Sequence, residues 1–148
     1  MKNHNFAIIK TLMSKDITQF KEIAIVSGPV IIENNKVLLN KHGDDNFWKF
    51  VGGRVEDFNE LSLEEHAKRE VKEEMGIDIE IIRPLKPMMV EVNGKLVILI
   101  HWLANRMGEI KPGPEIKEWH WFDIDNLPPD CAPNIKPVIE DYLKTQKS

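Results

Sequence analysis

The clearest hydrophobic pattern in the chain lies between Ser62 and Met75. Four apolar residues recur there at intervals of four positions: Leu63, Ala67, Val71 and Met75. At about 100° per residue, these side chains form one stripe along a helix, and such a stripe must face a core. Ser62 and Glu65 have capping-box spacing, and Gly76 can end a helix in the left-handed conformation. The pattern therefore predicts a helix from Ser62 to Met75.

Strand patterns come before this helix. The run Ile23–Ile32 is rich in Ile and Val, and a polar stretch separates it from Val37–Leu39. We predict a hairpin here, with a bulge or a sheet edge at Gly28-Pro29. Further on, the alternation in Trp48–Val51 predicts a short strand that leads into Gly52-Gly53. A glycine pair allows a tight turn or a close approach of the backbone to a ligand, although a plain strand-to-helix turn explains it as well.

The rest of the chain continues the alternation of strands and helices. Four runs have strand patterns: Ile77–Ile82, Met88–Val92, Lys95–Ala104 and Glu115–Phe122. Asn93-Gly94 between two of them is a strong hairpin signal. Asn134 can cap a final helix that extends to about Lys144, because the apolar residues there have helical spacing. Two helices with hairpins between them predict an α/β fold, a sandwich whose mixed sheet is covered on both faces.

Composition and charge limit the possible classes of protein. The 148 residues suit one domain, 1–148. Residues 1–20 form an N-terminal extension whose secondary structure the sequence does not determine. A formal net charge of −4 provides no general attraction for DNA or for anionic membranes, so we expect neither as a partner. The single cysteine, Cys131, excludes an intramolecular disulfide, and no apolar run resembles a signal peptide or a membrane span. We therefore expect a cytoplasmic protein, monomeric or homodimeric.

Three carboxylates share a face of the predicted helix beside its apolar stripe. Glu70, Glu73 and Glu74 are one, three and four residues apart, and at such distances like charges repel by up to roughly 3 kcal/mol. Glu74 points between Leu63 and Ala67, so a cation is needed beside it. Oxygen ligands suit Mg²⁺ or Mn²⁺. The alternative is a solvated helix whose glutamates are balanced by neighbouring basic side chains.

The segment from Gly53 to Ile77 resembles the Nudix box. Residues 69–77, Arg-Glu-Val-Lys-Glu-Glu-Met-Gly-Ile, match the second half of that motif at every defined position. Gly52-Gly53 and the following Arg-Val-Glu match its lead-in, and Glu115 stands before a Trp-Phe strand as in the family. The loop between Gly53 and the helix is two residues longer than the family spacing, so Glu60 is assigned no catalytic role.

The resemblance implies a Nudix-like α/β/α sandwich that hydrolyses a phosphoanhydride bond with Mg²⁺, for which Mn²⁺ is a possible substitute. Its substrate would be a nucleoside diphosphate linked to another moiety, such as a nucleoside triphosphate or ADP-ribose. The family's metal ligands correspond to the Gly53 carbonyl and to the carboxylates of Glu70, Glu73 and Glu74, and Arg69 corresponds to the residue that orients one of them. The catalytic set is Arg69, Glu73, Glu74 and Glu115. The general base stays open, since Glu115 lies in a Pro-Gly loop that can fold over the site.

Substrate-binding residues are harder to assign from sequence. Trp48, Lys49 and Arg54 are candidates for stacking and phosphate contacts, as are Lys41 and Arg83 for phosphate, although aromatic residues in strands more often pack in a core. His66 lies one turn before Glu70 and is interpreted as a helix-surface histidine, with a ligand or hydrogen-bonding role as the alternative. A catalytically silent nucleotide- or RNA-binding module of the same fold, and a purely structural α/β domain, remain the competing interpretations.

Overall fold

The computed structural model describes residues 16–57, 59 and 62–146. Within these, a short 3₁₀ helix at Ile17–Gln19 precedes seven strands and two α-helices. The strands are β1 (Glu22–Glu33), β2 (Lys36–His42), β3 (Gly53–Arg54), β4 (Asp78–Pro84), β5 (Met88–Val92), β6 (Lys95–Met107) and β7 (Ile116–Asp123). The helices are α1 (Leu63–Met75) and α2 (Ile135–Gln146). Residues 1–15 of the expected N-terminal extension lie outside the described residues.

The sheet is mixed, as predicted. Its main strand order is β4-β6-β1-β2-β7, with β3 also paired to β1 and β5 paired to β6. Strands β1 and β6 run parallel, from Glu22 beside Lys95 to Ile31 beside Ala104, and the other pairs are antiparallel. Parallel neighbours need a long crossover, which here contains β2, β3, α1, β4 and β5. The sheet therefore brings residues near 28 and near 101 side by side.

Two apolar clusters lie on opposite faces of this sheet. Val30 of β1 packs with Ile135, Val138 and Ile139 of α2, whereas the next residue, Ile31, packs with Val71 and Met75 of α1. Successive side chains of a strand point to opposite faces, so one strand supplies both cores. The α/β sandwich predicted from the sequence is confirmed. No helix among the described residues is long and apolar enough to cross a membrane.

The predicted helices and hairpins are confirmed with small shifts of their ends. Ser62 caps α1 by accepting a hydrogen bond from the Glu65 backbone N–H at 3.3 Å, and Gly76 ends it at φ 68°. The β5–β6 turn has Asn93 at φ 51° and Gly94 at φ 80°, the left-handed pair that a tight hairpin turn requires. Helix α2 extends to Gln146, two residues past the predicted end.

One local prediction is wrong, and a second holds only in part. Trp48–Val51 is not a strand, because Trp48 and Lys49 form single bridges to different partners, Cys131 and Asn40. Gly28-Pro29 is not a bulge, since β1 keeps its regular parallel register with β6 through both residues. The predicted edge is present locally, because on the other side of β1 the described pairing covers only residues 26–27 with β3 and 32–33 with β2. Gly28 instead allows close packing, because a Cβ there would overlap the Val51 carbonyl oxygen and lie 2.6 Å from Gly52 Cα.

Candidate active site

The Glu70 carboxylate packs directly against the backbone of Gly53. A Cβ at Gly53 would overlap this carboxylate, so the glycine is what lets the acid reach the main chain. Gly53 is held by β1, where it pairs with Ser27, and the Ser27 hydroxyl donates to the Leu63 carbonyl oxygen at 2.8 Å. The same strand residue therefore positions both the glycine and the start of α1.

Glu74 is the buried carboxylate of the helix, with 4% of its surface exposed. The Gly52 N–H donates to its Oε2 at 3.4 Å, and Nε2 of His42 lies 3.3 Å from the same oxygen. The pKa of Glu70 is raised from its ordinary value, first by burial and then by the negative charge of Glu74. A carboxylate whose charged form is disfavoured by burial and by a neighbouring negative charge marks a place where a cation is stabilising.

This donor set fits the Mg²⁺ that the resemblance implies. In the described part of the chain, no group of three or more His, Cys, Asp and Glu side chains is close enough to hold a metal ion by itself. Mg²⁺ does not need such a cage, because it is usually bound by one or two carboxylates together with water and substrate phosphates. The Glu70 and Glu74 carboxylates with the Gly53 carbonyl are hard oxygen donors of that kind.

His66 is completely buried, so the surface interpretation is wrong. Its Nε2 lies 2.8 Å from the Gly53 carbonyl oxygen, and its Nδ1 lies 3.3 Å from Nη2 of Arg69. A guanidinium only donates and a carbonyl only accepts, so Nδ1 must be the acceptor and Nε2 must carry the proton. This tautomer makes His66 a hydrogen-bond donor that holds Gly53, and it excludes Nε2 as a metal ligand.

Arg69 connects this histidine to the carboxylates of the helix. Its Nη1 lies 3.0 Å from Oε1 of Glu73, and its Nη2 lies 3.6 Å from Oε1 of Glu70. The Glu73 side chain is more than half exposed and lines a shallow surface groove with Arg54, Arg69 and Glu70. Glu73 thus lies on the solvent side of the acidic face, while Glu74 lies inside.

Glu115 is placed apart from this pair. Its side chain is exposed and packs over Gly113, whose N–H donates to the Glu74 carbonyl oxygen at the end of α1. Glu115 is not among the described residues that line the cavity next to Glu70 and Glu74. The Pro-Gly loop therefore lies against the C-terminal end of the helix, and the Glu115 carbonyl oxygen accepts a hydrogen bond from the Gly43 N–H. Glu60, for which no role is expected, lies outside the described residues.

Glu70 and Glu74 open into a cavity of about 530 Å³ that the sheet and its loops enclose. This volume is within the usual range for a small-molecule site. Lys49 and Arg54 line the cavity, and each is paired with an acid, Lys49 with Asp45 at 2.9 Å and Arg54 with Glu22. Apolar side chains line the rest of the wall: Phe47, Phe50, Val90, Val97 and Leu99.

Other substrate candidates lie away from the cavity. Trp48 packs edge-on against Phe122 at 4.8 Å, with Lys41 Nζ over its ring at 4.7 Å. It lines a different surface depression. Lys41 pairs with Glu118 and Asp130, and Arg83 donates to the Thr145 hydroxyl. The structure therefore does not bring Trp48 together with Lys49 and Arg54.

The cavity residues that are absent from the sequence-based site include His42, His101 and Asn134. Asn134 was interpreted as a helix cap, and it does immediately precede α2, but its side-chain Nδ2 lies 2.9 Å from Nε2 of His101. His42 ends β2 and His101 lies within β6. No local motif marks any of them as a site residue. His42 and His101 reach the cavity through the pairing of distant strands, and Asn134 reaches it because the start of α2 contacts β6.

The fold and site can be compared with known proteins. At 29% identity over 150 aligned positions, which cover 97% of this chain and 86% of the relative, the chain is similar to the ADP-ribose pyrophosphatase of Methanocaldococcus jannaschii. It is 27% identical to the 8-oxo-dGTP diphosphatase of Escherichia coli K12, over 80% of this chain and 95% of that protein.

A solved structure shares the fold. The MutT protein from Methanosarcina mazei superposes with a TM-score of 0.75 at 23% identity, over 86% of this chain and 98% of that one. The family profile described as the NUDIX domain matches residues 24–142, which include both helices nearly to the end of α2. Enzymes of this family typically depend on a divalent metal and act on nucleotides. The chain therefore belongs to the NUDIX domain family and is a Nudix pyrophosphohydrolase family enzyme.

Proposed function

We propose that this enzyme uses Mg²⁺, or Mn²⁺ in its place, to hydrolyse a phosphoanhydride bond in a nucleoside diphosphate linked to another moiety. The observation that carries the proposal is the pair of partly and fully buried carboxylates, Glu70 and Glu74, beside Gly53 at the wall of the cavity. Glu70, Glu74 and the Gly53 carbonyl would hold the cation, and Glu73 adds a carboxylate from the solvent side. A bound divalent ion neutralises a diphosphate and lowers the pKa of water.

The side chains of the protein supply the remaining functions. Lys49 and Arg54 line the same cavity and can exchange their present acidic partners for phosphate oxygens, since ammonium and guanidinium groups both donate hydrogen bonds to phosphate. A carboxylate of the Glu70–Glu74 pair can accept the proton that the attacking water loses. Arg69 and His66 hold Glu73 and Gly53 in place.

A panel of nucleotides tests the proposal. It contains nucleoside triphosphates, 8-oxo-dGTP, ADP-ribose, a dinucleoside polyphosphate and an RNA with a 5′-triphosphate, each with Mg²⁺, with Mn²⁺ and with EDTA. Products are separated by chromatography, so that cleavage next to the phosphate attached to the nucleoside is distinguished from loss of a terminal phosphate. We expect metal-dependent formation of a nucleoside monophosphate, or of a 5′-monophosphate end on the RNA, from at least one compound. Nucleotide binding without turnover across the panel would overturn the proposal and favour the silent binding module.

A further inference from the structure

The sheet has two edge strands, β4 and β7, and only one of them is protected against pairing. β4 has a bulge between Ile81 and Arg83 and ends at Pro84, and such features interrupt the pairing of an edge with another strand. β7 keeps a regular register with β2 from Glu118 to Asp123, and its sequence contains neither proline nor glycine. The edge at β7 can therefore accept a further strand.

Three residues of β7 present backbone groups that have no hydrogen-bond partner among the described residues. Asn40 of β2 exchanges both of its backbone hydrogen bonds with Lys49, at 2.9 and 3.0 Å, on the side away from β7. Its pair with Trp119 is therefore non-hydrogen-bonded, and the N–H and C=O of Trp119 point away from β2. Because successive residues alternate, Lys117 and Trp121 also direct these groups outward. An edge of this kind is a template for another strand.

The side chains of this edge are aromatic in the middle and oppositely charged towards the ends. Trp119 is 37% exposed. Lys117 and Asp123 are both exposed, and neither has an ion-pair partner in the described part of the chain. Lys117 lies three residues before His120, and Asp123 lies three residues after it. The two unpaired charges are therefore placed symmetrically about His120.

We propose that β7 is the interface for a second copy of this chain, which adds its own β7 in antiparallel orientation with the two-fold axis at His120. Lys117 of each copy then lies opposite Asp123 of the other. Trp119 lies opposite Trp121 in the same register, and these odd-numbered residues form the hydrogen-bonded pairs that their free groups require. Directly opposite pairs of unlike charges and of aromatic rings stabilise adjacent strands. The charge pattern of β7 is thus complementary to itself.

This assembly leaves the cavity open. No residue of β7 is among the described residues that line the cavity beside Glu70 and Glu74, so the dimer is independent of the proposed function. The two β7 strands would form one continuous sheet through both copies. A contact along one strand is smaller than a standard interface, so the dimer belongs to the weak class that dissociates on dilution.

Sedimentation equilibrium of the full chain, between about 1 μM and about 1 mM, measures the association. We expect monomer and dimer in exchange. Lys117→Asp places two acids opposite each other and should weaken the dimer by more than about tenfold. The double variant Lys117→Asp with Asp123→Lys restores the unlike pair and should recover the dimer. Monomer alone at every concentration, a dimer unaffected by Lys117→Asp, or a double variant that associates no better than the single one overturns the inference.

A cysteine at the proposed two-fold axis tests the register. In a Cys131→Ser background, His120→Cys places two thiols in a non-hydrogen-bonded pair, whose Cα atoms are about 4.5 Å apart and within disulfide range. Oxidised glutathione accepts the two electrons and leaves as two reduced molecules while the disulfide forms. We expect a disulfide-linked dimer. Glu118→Cys is the matched control, because its two copies would lie about 14 Å apart, four residues along the strand. Equal cross-linking of both variants, or none from His120→Cys, overturns the inference.

Discussion

The two ends of the cavity are built from different kinds of sequence. At one end, Glu70 and Glu74 come from a single helix, four residues apart, and pack against Gly52 and Gly53. At the other end, the contact between His101 and Asn134 joins a strand to the start of α2, 33 residues later. The first end, called the carboxylate end, is charged and suits a cation together with phosphate. The second end, called the amide end, has the uncharged side chains of His101 and Asn134 beside an apolar wall.

This difference predicts that the two ends affect different kinetic parameters. Groups that act on charge in the transition state change kcat, whereas groups that contact the unreacting part of a substrate change affinity in the ground state as well. We therefore expect substitutions at the carboxylate end to lower kcat, and substitutions at the amide end to change mainly KM. Substitutions at and around the carboxylate end test whether effects on kcat are separate from effects on KM.

The largest effect is expected from Glu70→Gln, which keeps the size of the side chain and removes its charge. We expect kcat to fall by more than about 100-fold. Removing a residue that is hydrogen-bonded to a metal ligand typically costs about 10- to 100-fold in activity, and removing the ligand itself should cost more. Mg²⁺ should also raise the melting temperature less than it does in wild type. Steady-state kinetics and a melting titration measure the two effects.

Glu64→Gln is the matched control for this substitution. Glu64 is exposed in the first turn of the same helix and does not line the cavity. Both measurements should stay near wild type in this variant. Equal losses in the two variants would mean that the helix responds to charge in general and that Glu70 is not a ligand.

A smaller loss is expected from His66→Leu, which keeps an apolar volume but removes the donor to the Gly53 carbonyl. Partners of metal ligands typically contribute 10- to 100-fold, so we expect kcat to fall within that range. His66→Gln can place an N–H near the position of Nε2 and should recover most of the rate. Titration of Mn²⁺ by electron paramagnetic resonance, done without substrate, should show weaker binding in His66→Leu alone. Failure of glutamine to restore either quantity would contradict the hydrogen-bond role.

Arg69→Lys should have a more modest effect, about tenfold or less on kcat with little change in KM. The guanidinium reaches His66, Glu70 and Glu73 at once, and an ammonium group cannot reproduce that fork. Arg69 is, however, nearly half exposed, so water can replace part of what is lost. A large rise in KM with unchanged kcat would show that Arg69 contacts the substrate. It would contradict the expectation that substitutions at the carboxylate end act on kcat.

The smallest expected effect is on the stability of the metal-free protein. The pKa of Glu70 is raised above its ordinary value of 4.5, so the folded protein holds this proton more tightly than the unfolded chain does. The resulting contribution to the free energy of unfolding is fully present below that pH and is lost as the pH rises through the folded-state pKa. Glu70→Gln removes this dependence and should be the more stable protein at neutral pH. Like charges four residues apart cost about 0.2–0.5 kcal/mol on a helix, and burial adds to this.

Melting temperatures of wild type and Glu70→Gln, measured with EDTA between about pH 4 and pH 8, test the sign. The difference between the two proteins should grow as the pH rises. A difference that is constant across this range would show that Glu70 does not titrate differently in the folded protein. The amide end provides the comparison, since Asn134→Ala removes no titrating group.

The sequence predicted the parts of the site that depend on local geometry. The stripe Leu63, Ala67, Val71 and Met75 lies in one continuous segment between the Ser62 cap and Gly76, and its spacing alone determines a helix with one apolar face. Burial of Glu74 followed from the same spacing. The Asn93-Gly94 turn was predictable for an equivalent reason, since its backbone conformation depends on two adjacent residues.

Only the tertiary structure decided which distant residues meet. His66 appeared to lie on a helix surface, but β3 places the Gly53 carbonyl over it, and burial on that face is the result. Glu115 and Trp48, both expected at the site, lie outside the cavity, because the Pro-Gly loop binds to the end of α1 and Trp48 bridges to Cys131.

His101 and Asn134 illustrate the physical reason most clearly. A residue's spacing along a helix or strand determines its face, and this can be calculated from one element alone. Which face becomes a cavity depends on how the elements pair, and here β1 lies parallel to β6 after a crossover of more than 60 residues. Local pattern therefore specified the carboxylates of this enzyme, while the pairing of β1 with β6, β3 and β2 decided what lies opposite them.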